Sequence, residues 1–258
     1  MKGWENNVKE LLKFEMRKLK KQKSFYICTT VMIALLLLSF LTTHALIKSA
    51  PDLESSLASP GVHSALNSLG NSSFLLIAGI FTALNVCEDY EQQTVKNIFS
   101  RGYSRKNLYF AKAVTVWIGT SIMFAVVQIT AFVLGTAYFG VGDTGNFRFL
   151  LLIAVQYITA MANISLFFAL SSVFRKNGSS IAATIVAPML ISMVLSLLDS
   201  FRKSDRFSFS DFWLSSFLSD LSSPTVSGSR LAVCLSVSLL YLIVFLVPGL
   251  QSCKKSDL

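Results

Sequence analysis

Six stretches of this chain are long and apolar, and its charge is squeezed into the short segments between them. The first covers residues 24–47, where Val31 to Phe40 is almost uninterrupted hydrocarbon. The others fall near 65–87, 108–139, 149–174, 179–198 and 231–250. A crossing helix needs roughly 20 mostly apolar residues. In lipid the backbone must satisfy its own hydrogen bonds, which leaves helices or closed barrels. Runs of this length, without a two-residue alternation, select helices. Only 14% of the residues are charged, against about 25% in soluble domains. The expected fold is therefore an all-α integral membrane protein with six transmembrane helices, with little chain left for a soluble domain.

The first run is longer than the roughly 7–15-residue core of a signal peptide, so it reads as a retained helix. Residues 48–72 are polar, contain Pro51, Pro60 and Gly61, and read as a loop. The second span is the weakest. Phe74 to Cys87 is fourteen residues, so the helix is expected to begin near Ala65 and to carry Asn67, Asn71 and Asn85 into the bundle. The third run is too long for a simple crossing, and its first turns, including Lys112, are expected to project into the cytoplasmic interface. Pro188 in the fifth span suggests a kink.

Two segments outside the spans are amphipathic. Residues 1–23 form a cytoplasmic unit ahead of the 24–258 membrane domain, with a helix expected over 5–23. Val8, Leu11, Leu12, Met16 and Leu19 share one face of it, and lysines crowd the rest. Such a helix lies in the interface against anionic lipid. Residues 207–224 set Phe207, Phe209, Phe212, Trp213, Phe217, Leu218 and Leu221 among serines and aspartates. They read as re-entrant or interfacial helices before span six, with Trp213 as an interface anchor.

Six crossings bring both ends to one side. Seventeen lysines and arginines fall on that side and six on the other. Basic loops stay inside, so both termini are expected in the cytoplasm. The same clustering beside apolar spans argues for membrane lipid rather than nucleic acid as the partner of the +9 net charge.

Between spans two and three lies a polar hairpin, residues 88–112. It opens with Glu88, Asp89 and Glu91 and turns basic with Lys96, Arg101, Arg105, Lys106 and Lys112. Val95, Ile98 and Phe99 recur at helical spacing, giving a short helix with a small apolar face and a charged back. A hairpin of this kind at the mouth of two spans is a docking surface. The plainer reading is a solvated loop whose charges only set topology.

Other motifs carry no chemistry. Gly140-Val-Gly-Asp-Thr-Gly145 matches the dinucleotide fingerprint literally, but it lies between spans rather than between a strand and a helix. It reads as a turn. No phosphate-binding G-x-x-x-x-G-K-[ST] loop is present, and His44 and His63 form no H-E-x-x-H pair. The acidic box is a poor cage for a divalent ion. Asn85, Gln128, Gln156 and Asn163 fit interhelical hydrogen bonds better than a substrate site. The four cysteines, Cys28, Cys87, Cys234 and Cys253, are expected to be free thiols.

With these features in order, the chain resembles the permease subunits of type-2 ABC exporters, and within them the small permeases for lantibiotic, bacteriocin or bacitracin-like peptides. The family hairpin reads E-x-E-x-G-T/S-x-x-x-L, then a turn, S-R and a distant lysine. Glu88, Glu91, Thr94, Ile98, Ser104, Arg105 and Lys112 take those places here, with Gln93 where glycine is usual. The tail Lys254-Lys255-Ser-Asp257 also fits. The resemblance implies a bacterial plasma-membrane protein that is not itself an enzyme and holds no cofactor. ATP and magnesium would be bound by a separate cytosolic ABC ATPase, in two copies, against two permeases, either identical or related. The hairpin would be the coupling helix that docks this ATPase, through Glu88, Glu91, Thr94, Val95, Lys96, Ile98, Phe99, Arg101, Ser104, Arg105 and Lys112. Val95, Ile98 and Phe99 would enter a groove on it, while Arg148 and residues 207–221 would shape the outer exit. The rival expectation is a non-transport membrane module, a sensor or assembly factor that binds a cytosolic partner through 88–112.

Overall fold

A computed structural model describes residues 2–49, 59–70, 73–100, 102–142, 146–201, 208–223 and 225–255. Among them there are ten α-helices and no strand. In chain order these are α1 (Lys2–Lys21), α2 (Lys23–Ser49), α3 (Gly61–Gly70), α4 (Ser73–Glu91), α5 (Thr94–Ser100), α6 (Arg105–Phe139), α7 (Asn146–Phe174), α8 (Asn177–Phe201), α9 (Leu214–Leu221) and α10 (Gly228–Lys255). A 3₁₀ turn, Ser210–Phe212, precedes α9. Six helices are long and apolar enough to cross a membrane: α2, α4, α6, α7, α8 and, over Gly228–Leu246, α10.

The spans are not equivalent. α4, α6 and α7 form the centre, where Phe81, Met123, Ile164 and Phe168 are buried together. α2 and α8 lie at the periphery and turn most of their apolar side chains outward, while α10 packs along α7 and leaves Leu239, Leu240, Ile243 and Val244 bare. In lipid such faces need no protein cover, because the surroundings are as apolar as the side chains.

The second span differs from its expected course. It begins at Ser73, and the stretch ahead of it is a separate helix, α3. Small residues seat α3 on α6: Gly61 and Ser64 of α3 meet Gly135 and Thr136 of α6 so closely that a Cβ on Gly135 would fall 2.4 Å from the Ser64 hydroxyl oxygen. The N–H groups of Gly61 and Val62 donate to the carbonyls of Gly140 and Val141 at 2.9 and 3.2 Å. Asn67 consequently stays exposed instead of entering the bundle, whereas Asn85 is buried; Asn71 lies outside the described residues. Gly140 caps α6 at φ +82°, and Gly142 repeats that value, as expected of a turn. Residues 143–145 lie outside the description.

Polar side chains within the spans do bind neighbouring helices. Gln128 Nε2 donates to Gln156 Oε1 at 3.3 Å, and Gln156 Nε2 donates to the carbonyls of Leu66 and Leu221, both at 3.0 Å. Asn163 differs: its amide donates to Thr159 within α7. The segment before α10 is drawn in as well. Trp213 is no exposed anchor but is buried against Tyr241, and Leu214, Phe217, Leu218 and Leu221 are buried with it. Arg230 pairs with Asp220 at 2.7 Å, and Arg148 donates to the Val226 carbonyl at 2.5 Å. Phe207 is outside the described residues. Cys28, Cys87 and Cys234 are free thiols, and the side chain of Cys253 is not described.

Candidate functional site

At the end of the bundle away from α3 and α9, the chain leaves α4, makes α5 and enters α6. Gln92 donates its N–H to Glu88 at 3.0 Å, closing the last turn of α4. Gln93 then takes φ +56°, the left-handed region where a Cβ is crowded and glycine is easiest. Glutamine reverses the chain here all the same. The Thr94 hydroxyl donates to the carbonyl and carboxylate of Asp89, at 3.1 and 3.2 Å. After Gly102 at φ +84°, Ser104 caps α6 by accepting the Asn107 N–H at 3.2 Å.

The short helix does not present its apolar face outward. Val95 is buried at 2% exposure against Leu11 of α1 and Leu108 and Ala111 of α6, and Ile98 and Phe99 pack at the edge of the same cluster. Both keep a minor part of their surface accessible, and the Arg105 guanidinium lies 5.5 Å over the Phe99 ring. Lys96, Asn97 and Ser100 face out. Arg101 lies outside the described residues. Glu91 is turned to the α7–α8 corner, where its carboxylate accepts both the Asn177 N–H at 2.7 Å and the Asn177 side-chain amide. Nearby, Arg175 stacks over Tyr90 at 5.3 Å.

Beneath the hairpin lies a charge cluster that joins three helices. Asp89 accepts hydrogen bonds from Lys18 of α1 and Lys112 of α6. Lys112, expected in the interface, is instead 2% exposed and has a second carboxylate, Glu15, at 3.6 Å. Glu15 is itself 1% exposed, and neither of its oxygens has a hydrogen-bond donor. Lys18 also reaches Glu88 at 3.4 Å. Gln22, the residue between α1 and α2, accepts from Asn85 at 2.8 Å and donates to Glu88 at 3.0 Å. At the outer edge the Tyr103 hydroxyl donates to Glu10 at 3.2 Å. Two cations against three acids keep the cluster close to neutral, the condition under which ions tolerate burial.

α1 is therefore more than an interfacial helix. Leu11, Glu15, Lys18, Leu19 and Gln22, at helical spacing, turn toward the bundle, while Lys9, Lys13, Arg17, Lys20 and Lys21 stay outside. Glu15, Lys18, Gln22 and Asp89 belong to the site though the hairpin pattern does not name them. The signal was an acid, Glu15, set in the apolar stripe of a helix with seven lysines and arginines.

Among the described residues no group of three or more His, Cys, Asp or Glu side chains is placed to hold a metal ion. The hairpin, α1, α4 and α6 are tied by ion pairs and hydrogen bonds at one end of the helical bundle. Residues 11–199 match the family described as ABC-2 family transporter protein, and the chain belongs to that family. The match opens inside α1 and runs through the hairpin to the end of α8. No curated protein matches the chain.

Proposed function

We propose that this chain is the permease subunit of a bacterial ABC exporter whose cargo is an amphipathic peptide, and that a separate cytosolic ABC ATPase docks on the 88–112 hairpin. Membership of the ABC-2 family supports an ATPase partner, and the count of basic residues supports a cytoplasmic hairpin with both termini on the same side. ATP and magnesium belong on that partner, in two copies, against two permease copies.

The observation that carries the reading is Asp89 held at once by Lys18, Lys112 and Thr94. A push on α5 cannot be absorbed by a loose loop, because the same carboxylate ties the hairpin to α6 and to α1. ATP-driven closure of the partner would reach α4 and α6, two of the three central spans, as a rigid displacement. The docking surface is the outward side of α5 and its flank: Lys96, Asn97, Arg105 and the accessible edges of Ile98 and Phe99. Val95 supports that surface from below.

The test is ATP hydrolysis by the permease reconstituted with the ATPase encoded beside it, with and without cationic amphipathic peptides. Stimulation by peptide, lost on Ile98→Asp with Phe99→Asp, is expected. A complex that forms but never hydrolyses ATP faster than the isolated ATPase would replace the exporter with a binding module.

A further inference from the structure

At the end of the molecule remote from the hairpin, α2 stands off from α3, α4 and α6 and leaves a cleft of about 260 Å³. We infer that this cleft is a binding site for a neutral glycerolipid with a free hydroxyl, an acylglycerol, whose chain lies along α2 and whose head sits among the serines of α3. The inference concerns a different half of the protein from the docking reading and does not depend on it.

Shape argues first. The α2 wall is one helical face, from Met32 through Leu36 and Ser39 to Thr43. At 1.5 Å per residue it extends for roughly 16 Å. A cleft of this length with so small a volume is a slot. It lies below the roughly 300–1,000 Å³ usual for pockets that hold compact ligands, and it suits a single extended chain. The slot is graded along its length. Met32, Leu36 and Ile77 line the part toward the bundle's middle, and Thr43, Ser64, Asn67 and Ser68 line the part toward α3. Its mouth is open, since Leu35, Ser39 and Asn67 are all exposed, and it opens beside a span whose other faces are also bare apolar surface.

Chemistry then selects the head. Among the described residues no Asp, Glu, Lys or Arg lines the slot, so an ionic head would be desolvated against them without a counter-charge. Four of the hydroxyl protons are already spent. Ser39 donates to Leu36, Thr43 to Ser39, Ser64 to Ser59 and Ser68 to Ala65, at 2.6 to 2.9 Å to the backbone carbonyls. A hydroxyl has one donor and two acceptor positions, so these side chains offer the slot acceptors. The Asn67 amide adds N–H donors at the mouth, so a phosphate or carboxylate is set aside by the missing counter-charge and not by a lack of donors. A neutral head that donates is matched, and a free glycerol hydroxyl is such a donor.

The experiment reconstitutes the full chain in phosphatidylglycerol–phosphatidylethanolamine vesicles containing an acylglycerol with a photoactivatable group on its chain, and maps adducts by mass spectrometry. Adducts are expected on Met32, Leu36 and Ile77, displaced by unlabelled acylglycerol and not by a fatty acid of equal chain length. Ile77→Trp should reduce them about tenfold, the effect of excluding roughly two methylene groups from apolar surroundings. Ser39→Leu, on the exposed rim, gives a second block that does not disturb the core, and Leu197→Trp on the bare face of α8 should change nothing. Adducts spread evenly over α8 and α10 with no displacement would mean annular lipid only and overturn the site. Slot adducts unchanged in both blocking variants would overturn it too, as would slot residues that cross-link to a second copy of the chain instead of to lipid.

Discussion

Lys112 of α6 and Asp89 of α4 are ion-paired inside the protein, and each is almost fully hidden from solvent. Glu15 completes the group from α1 at 3.6 Å from the Lys112 ammonium, with no hydrogen-bond donor of its own. The three residues do not contribute alike. Asp89 keeps Lys18 and Thr94 if Lys112 is lost, whereas Glu15 keeps nothing.

Lys112→Met should therefore be costly chiefly through Glu15. Removing one partner of a buried pair destabilises by about 3–5 kcal/mol, and the orphan here is a carboxylate without hydrogen bonds. Glu15→Leu alone should cost less, since it also removes a desolvated acid. The double variant should be more stable than Lys112→Met alone, a coupling of about 1–3 kcal/mol for residues in contact. Unfolding of the purified protein in mixed micelles would measure all three. Additive losses would show that Glu15 does not answer to Lys112.

Gln93 offers a gain instead of a loss. Its left-handed backbone costs roughly 1–2 kcal/mol for a residue with a Cβ, and its side chain is exposed. Gln93→Gly should recover up to about 1 kcal/mol and slow amide exchange over α5. Gly102→Ala is the opposite case, at φ +84° with open space around it, so its cost is backbone strain alone. Faster exchange in Gln93→Gly would mean that the glutamine side chain holds the turn.

Val95 and Lys96 are adjacent and should behave as different kinds of residue. Val95→Asp places a charge in the cluster of Leu11, Leu108 and Ala111 and should release both α5 and α1, seen as new protease cleavage in each. Lys96→Asp changes an outward residue, within about 0.5 kcal/mol in stability, and should weaken capture of the cognate ATPase. Intact α1 protection in Val95→Asp would separate the hairpin from the N-terminal helix.

The spans could be read from the sequence because crossing a bilayer is a requirement on length and composition, both visible in one dimension. The hairpin's short helix was legible for the same local reason. The direction of its apolar face was not, because Val95 is covered by Leu11 from a distant segment. Lys112 was misplaced on similar grounds. From its own neighbours it is a cation near a span end, but its burial depends on Asp89, 23 residues away, and Asp89 in turn on Lys18, 71 residues away. The separate α3 was hidden because Ala65, Leu66 and Leu69 carry an apolar face up to the span, and the contact of Gly61 and Ser64 with Gly135 that seats α3 on α6 is made 71 and more residues along the chain.

That contact gives the last prediction. A Cβ on Gly135 would meet the Ser64 hydroxyl at 2.4 Å, the Ser64 Cβ at 2.7 Å and the Gly61 Cα at 2.8 Å. The first two could be relieved by shrinking a side chain, but the third is backbone and cannot give way unless α3 moves. Gly135→Ala should cost about 1–3 kcal/mol, as overpacking does, and adding Ser64→Gly should return only part of it. Gly178, in the first turn of α8, has nothing within 4 Å of a built Cβ, so Gly178→Ala should be neutral or stabilise by up to about 1 kcal/mol. Displacement of α3 would also pull Gln156 Nε2 from the Leu66 carbonyl it now reaches at 3.0 Å. The Gly135→Ala loss should accordingly shrink when measured in a Gln156→Leu background, where that bond is already gone. An equal loss in both backgrounds would confine the strain to the glycine crossing.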